Sequence, residues 1–312
     1  MLIQDKILQF NRNPNISEWF WNQLNTHIGF GLYANDAQYL CNSIVSSLSN
    51  YRKNHNIDQV VLGISGGIDS AVTAALFREA GYTVTGVLMP ILQDPSETER
   101  GAEVCASLGI NTERMDLSKA YQSLLRELYV TDAGMLEGDD PVSLIRRGNV
   151  RARLRMVTLY NMASKLGGFV ASTDNFSELA AGFWTLHGDV GDVSPIQSLT
   201  KSWEVPLLAE HLCVPQSVID AVPTDGLGIS AGDEAQFGFT YMEFDIGVFS
   251  MMRHAHLDLS EMTDADIRTI EAIRQRVKGS THKRANPVNI PHPVHCNRYT
   301  ELETLDSRLK PV

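Results

Sequence analysis

The chain has 312 residues, with 37 acids against 26 Lys and Arg and a net charge of −11. That length builds a core without staples, and a composition 43% hydrophobic and 20% charged excludes a disordered regulator, a fibre and a small disulfide scaffold. The acidic balance argues against nonspecific nucleic-acid binding, because each phosphate contact needs a Lys or Arg. The longest nearly uncharged stretches are interrupted by Gly, Ser or Asn well before ~20 residues, so no bilayer-spanning helix is expected. The opening MLIQDKILQF carries Asp5 and lacks a small-residue cleavage site, unlike a signal peptide. Cys41, Cys105, Cys213 and Cys296 are scattered without a CxxC pair, as in a reduced cytoplasmic protein.

Residues 35–56 place Leu40, Ile44, Val45 and Leu48 at helical spacing. VVLGIS (60–65) is a β-branched run ending in glycines and predicts a buried strand. The Ala-rich stretch 70–80 predicts a helix closed by Gly81. A strand is expected at 83–90, a helix at 96–108 and a short strand at 110–117. A long amphipathic helix follows at 149–166, ending at Gly167-Gly168, and then a strand at 169–173. Strands alternating with helices predict an α/β fold, a parallel twisted sheet with helices on both faces. Beyond about 200 the chain reads as helical, apart from a glycine-rich loop at 223–238. Phe237, Phe239 and Tyr241 are expected in core or interface. One domain spans 1–312, with N-terminal helices at 1–56 and a C-terminal tail at 285–312. Ligands of such sheets sit at the carboxyl ends of strands, which singles out 63–70, 88–92 and 173–178.

The strongest local signal is Gly63-Ile64-Ser65-Gly66-Gly67-Ile68-Asp69-Ser70, between a predicted strand and a predicted helix. Glycines let backbone N–H groups approach an anion, and the helix N-terminus adds its dipole. Ser65 and Ser70 add hydroxyl donors. Asp69 would repel a bare phosphate, which points to a bridging Mg²⁺. A Walker loop needs a lysine that is absent, and a Rossmann fingerprint needs a different spacing. Gly63, Ser65 and Gly67 match the GxSxG elbow of serine hydrolases, but that reading leaves Asp69-Ser70 without a role. Residues 65–70 fit in full the SGGxDS pyrophosphate loop of enzymes that split ATP between its α and β phosphates.

From about residue 35 to 290 the chain resembles ammonia-dependent NAD synthetases. Asn149-Val150-Arg151-Ala152-Arg153-Leu154-Arg155 resembles their NxxARxR helix, and Thr173 to Glu178 their T[DG]xxxE segment. Gly182-Phe183-Trp184-Thr185 with Gly188-Asp189, Pro195 to Lys201, Pro223-Thr224-Asp225 and Thr281 to Arg284 echo four further stretches. The resemblance implies an adenine-nucleotide alpha-hydrolase-like, Rossmann-like fold and a ligase that makes NAD from deamido-NAD, ATP and ammonia. It implies ATP contacts from Gly63, Ile64, Ser65, Gly66, Gly67, Ile68, Asp69 and Ser70, with Thr173, Lys201 and Thr224. Asp69 and Glu178 would hold Mg²⁺, with Asp69, Lys201 and Glu178 as the catalytic set. Arg153, Asp192, His282 and Lys283 would contact the dinucleotide. It also implies a homodimer, with contact faces expected at 35–50 and 151–163, and allows a separate ammonia-supplying protein. Two departures lie near the substrate pocket: Leu186 stands where a lysine is frequent, and GDVGD (188–192) is one residue short. They leave nicotinate mononucleotide as an alternative acid, and GMP-synthesising or tRNA-thiolating ATP pyrophosphatases as alternative relatives. Loop 223–238 and the segment around His282-Lys283 are expected to close over bound ligand.

Overall fold

The computed structural model describes residues 2–11, 15–133, 138–222, 232–254 and 257–284. Its strands are β1 (Gln59–Gly63), β2 (Thr83–Leu88), β3 (Asn111–Arg114) and β4 (Phe169–Val170). The helices are α1 (Ile3–Asn11), α2 (Glu18–Gly29), α3 (Ala37–His55), α4 (Ile68–Glu79), α5 (Pro95–Leu108), α6 (Ser118–Thr131) and α7 (Pro141–Leu166). They continue with α8 (Phe176–Ala181), α9 (Glu204–His211), α10 (Gln216–Ile219), α11 (Asp233–Phe237), α12 (Tyr241–Arg253), α13 (Asp264–Gly279) and α14 (Thr281–Arg284).

The four strands form one parallel sheet in the order β3–β2–β1–β4. Val61 pairs with Thr85 on one side and Val170 on the other, so β1 is central and buried on both faces. Its side chains alternate as the pleat requires. Val60 and Leu62 join the core made with α3, α4, α5 and α9, while Val61 joins the opposite core made with α6 and α7. A third core lies apart from the sheet, where α1 and α2 pack with α12 and α13 around Phe20, Leu24, Phe244 and Ile273. Among the described residues no helix is long and apolar enough to cross a membrane.

The chain runs outward from β1 through β2 to β3, then returns to place β4 on the other side of β1. That reversal splays the loops after β1 and β4 apart and opens a crevice at their carboxyl ends. Four segments depart from expectation, among them the strand expected at 169–173, which pairs with β1 only over Phe169–Val170. The run 110–117 pairs only over Asn111–Arg114, and α7 begins eight residues before Asn149, at an Asp140 cap followed by Pro141. An Asp cap followed by proline is a standard helix start. Within the expected 223–238 loop, residues 223–231 lie outside the described residues, and 233–237 are the short helix α11, not loop.

Candidate active site

The glycine loop joins β1 to α4 and is held by its own serines. Gly67 N donates to Ser65 Oγ at 3.2 Å, the Ser65 and Ser70 hydroxyls lie 3.2 Å apart, and Ser70 Oγ donates to the Gly67 carbonyl at 3.0 Å. Gly66 has φ +86°, and a Cβ there would overlap the Glu97 carbonyl oxygen. Gly67 caps α4 without a side-chain bond, so the first-turn N–H groups are left for an anion.

Across the crevice, the segment after β4 starts α8 with a capping box. Glu178 N donates to Asn175 Oδ1 at 3.0 Å, and Asn175 N donates to Glu178 Oε2 at 3.3 Å. The box fixes Glu178 at the mouth of the loop. Lys201, on the turn before α9, places its ammonium against the Asp69 carboxylate and 3.6 Å from Glu178 Oε1. All three side chains are largely buried. Burial first, then the Asp69 carboxylate, push the Glu178 carboxyl above the ordinary range, against the pull of Lys201. Burial alone would lower Lys201, but Asp69 and Glu178 outweigh it and hold the ammonium charged.

The third wall is α7. Asn149, Ala152, Arg155, Met156 and Leu159 recur at helical spacing along its inner face and line the cavity. Asn149 Oδ1 accepts from the Thr185 hydroxyl at 2.7 Å, and Thr185 N donates to Asp189 at 2.5 Å. Arg155 donates to the Met89 carbonyl at 3.2 Å and to Gln93 at 2.8 Å, both just beyond β2. Lys283 donates to the carbonyls of Gly182, at 2.7 Å, and Trp184. The buried wall atoms Thr98 Oγ1, Arg100 Nε, Asp174 Oδ1 and Trp184 Nε1 have no hydrogen-bond partner among the described residues. The enclosed volume is about 920 Å³, ample for a nucleotide and part of a second ligand.

Among the residues expected at the site, Gly63 to Ser70, Thr173, Glu178, Lys201 and Lys283 all line this one cavity. Arg153 does not: it is exposed and donates to the Leu186 carbonyl at 3.1 Å. Asp192 also lies off the cavity, accepting from the Tyr160 hydroxyl at 2.8 Å and Val170 N at 2.9 Å. His282 is exposed, and Thr224 lies outside the described residues. Arg155, Asp174 and Trp184 also line the cavity; they stand within the resembling stretches, but no site role was expected of them. The position of Arg155 three residues after Ala152 was the signal that could have assigned it one.

The donor set suits a hard divalent ion. Two carboxylates from separate segments converge on one point, and that point already attracts a cation in the form of the Lys201 ammonium. Among the described residues no three His, Cys, Asp or Glu side chains gather around one point. Such an ion would draw its further ligands from phosphate oxygens and water, as is usual for Mg²⁺.

Parallel-sheet enzymes that handle nucleotide phosphates put their glycine loop and their charged groups at this reversal of strand order, and the molecule is of that class. The chain belongs to the NAD synthase family, whose model matches residues 40–287. It is 32% identical over 247 residues to the NH(3)-dependent NAD(+) synthetase of Finegoldia magna, covering 78% of this chain and 92% of that protein. The enzyme of the same name from Chlorobium phaeovibrioides is 35% identical over 255 residues, covering 80% and 88%. Among solved structures, NMN synthetase from Francisella tularensis superposes with a TM-score of 0.71 at 28% identity, covering 83% of this chain and 100% of that one. NH3-dependent NAD synthetase from Campylobacter jejuni, in complex with the nitrate ion, gives 0.65 at 27% identity, covering 82% and 99%.

Proposed function

We propose that this chain converts deamido-NAD to NAD by ATP-dependent amidation with ammonia, through an adenylated intermediate, releasing AMP and pyrophosphate. The observation that carries the reading is the convergence of Asp69, Lys201 and Glu178 at the open end of the glycine loop. The substrate carboxylate attacks the α-phosphorus of ATP, and pyrophosphate departs into the loop. The free N–H groups at the start of α4 and the hydroxyls of Ser65 and Ser70 hold its oxygens. Lys201 neutralises charge that builds on the phosphoryl oxygens. Ammonia then attacks the acyl carbon and AMP leaves. Mg²⁺, held by Asp69 and Glu178, supplies Lewis-acid withdrawal of phosphate charge when bound. No side-chain nucleophile takes part.

The site for the acid substrate is completed by a second copy of the chain. Arg153 and Asp192 lie outside the cavity on the outer side of α7, beside Val157, which is 68% exposed, and Tyr160, 40% exposed. An apolar strip flanked by residues expected at the substrate supports a homodimer whose interface shapes the substrate site. Free thiols at Cys41, Cys105 and Cys213 fit a reducing, cytoplasmic setting. The ammonia is drawn from solution or from a separate supplying protein.

The test is incubation with ATP, Mg²⁺ and ammonium, with deamido-NAD or nicotinate mononucleotide as the acid. NAD, AMP and pyrophosphate in equal amounts are expected with deamido-NAD. ADP and orthophosphate as products, or turnover only with the mononucleotide, would overturn the reading.

A further inference from the structure

Behind the catalytic cluster lies an acid that touches neither the cavity nor solvent. Asp245 is on α12 among Phe244, Ile246 and Val248 and is fully buried. Its carboxylate accepts three hydrogen bonds: Ser177 Oγ at 2.6 Å, Ser202 Oγ at 2.6 Å and Ser202 N at 3.2 Å. All three donors are neutral. An ionisable group in such a place is costly unless its hydrogen bonds are complete, and an apolar side chain would fill the space at less cost.

The identity of the donors explains the arrangement. Ser177 immediately precedes Glu178, and Ser202 immediately follows Lys201. The Ser177 hydroxyl also accepts from Lys201 N at 3.0 Å, so one oxygen links the carboxylate to the backbone that carries the ammonium. Two segments that meet only in the fold are thereby clamped to one point from behind. Burial pushes the Asp245 carboxyl up to about 7, against the pull of the two serines.

We infer that Asp245 is a positioning residue of this active site: through Ser177 and Ser202 it sets the separation at which Glu178 and Lys201 face the ATP phosphates. It acts through them and never meets substrate. The inference rests on the catalytic reading of Lys201 and Glu178 given above.

The experiment compares Asp245→Asn with Lys201→Met by steady-state kinetics and thermal unfolding. The amide keeps the shape but presents a donor where at least one serine needs an acceptor. D245N should fold and lose at least about tenfold in kcat, with KM for deamido-NAD within about twofold, because the acid is bound along α7. A merely structural role would instead lower the melting temperature and leave turnover per folded molecule unchanged, and that result overturns the inference. Should D245N fail to fold, the Ser177→Ala, Ser202→Ala pair carries the same kcat-against-KM test. K201M at wild-type kcat would remove the functional reading and this inference together. K201M inactive with D245N at wild-type kcat would remove the inference alone.

Discussion

Asn175 Nδ2 donates to Asp69 Oδ1 at 3.0 Å, tying the acid of the glycine loop to the residue that caps the helix carrying Glu178. One side chain thus serves two elements 106 residues apart in sequence. Serine caps helices as well as asparagine but cannot reach or donate as an amide does. Asn175→Ser should therefore keep α8 and cost only about 1 kcal/mol, mostly from lost packing. Turnover should fall about tenfold as Asp69 loosens. Urea denaturation and kcat measured together check it, and wild-type kcat would dissociate the tether from catalysis.

On the proposed reading, Lys201 and a divalent ion would compete for the same two carboxylates, Asp69 and Glu178. Removing the ammonium leaves two buried like charges, and breaking a buried pair in this way costs roughly 3–5 kcal/mol. Lys201→Met should therefore be destabilised in chelator and recover stability on adding Mn²⁺. Its Mn²⁺ affinity without nucleotide should exceed that of the wild type, as read by electron paramagnetic resonance. Equal affinities in the two proteins would mean that Lys201 does not stand at the metal position.

Gly66 occupies a backbone region that L side chains rarely adopt, and its α-hydrogen faces the Glu97 carbonyl. Gly66→Ala adds a left-handed strain of about 1–2 kcal/mol to a steric overlap with backbone. The loop must open to relieve both. ATP binding by calorimetry should become undetectable while circular dichroism stays near wild type, and retained ATP affinity would show that the loop tolerates a Cβ.

His27 supplies a pH dependence remote from the site. It is buried between α2 and α12, with Nε2 3.0 Å from Ser250 Oγ and 3.3 Å from the Ile246 carbonyl. Burial is the main cause that lowers its pKa from 6.5 to about 4. The unfolded chain then takes up a proton near pH 6.5 that the folded chain refuses until about pH 4. Its contribution to stability is complete above 6.5 and is lost as pH falls through that window, by roughly 3 kcal/mol at most. His27→Gln should flatten the fall of stability between pH 6.5 and 4.5 relative to wild type. An equal fall in unfolding free energy between those two pH values in both proteins, read from urea titrations, would assign the acid sensitivity elsewhere.

Val157→Glu tests the assembly. A charge in the centre of the exposed apolar strip of α7 should convert a dimer to monomer in sedimentation and reduce activity, with the melting temperature little changed. A wild-type monomer with full activity would remove the dimer proposal.

The elements that sequence revealed are those whose signal is continuous in the chain. β1, the glycine loop and the start of α4 are adjacent, and the apolar run of β1 is buried on both faces, so each step was legible. Helix α6 was missed although Leu117, Tyr121, Leu125 and Leu128 stand at helical spacing and pack into the core beside α7. β3, Asn-Thr-Glu-Arg, carries no apolar residue at all and pairs through backbone bonds to Thr85–Leu88. The site divides in the same way. The loop and Glu178 could be read from local motifs, whereas Asn175 and Asp245 acquire their roles only from partners in distant segments. The run Tyr241 to Met252 carries two acids, and because Glu243 closes the cap with Thr240, Asp245 between Phe244 and Ile246 was the available signal.

Helix α7 has 26 residues and is about 39 Å long. Asn149, Arg155 and Leu159 look into the cavity from one side, and Arg153, Val157 and Tyr160 lie on the other. No hinge separates these surfaces, so a replacement on the outside that rolls or slides the rod also displaces Asn149 from Thr185 and Arg155 from Gln93. If copies associate through that outer face as proposed, quaternary structure and substrate choice would not be free to diverge independently in descendants of this chain. A lineage that changed how its copies associate would then also have to rebuild the cavity wall.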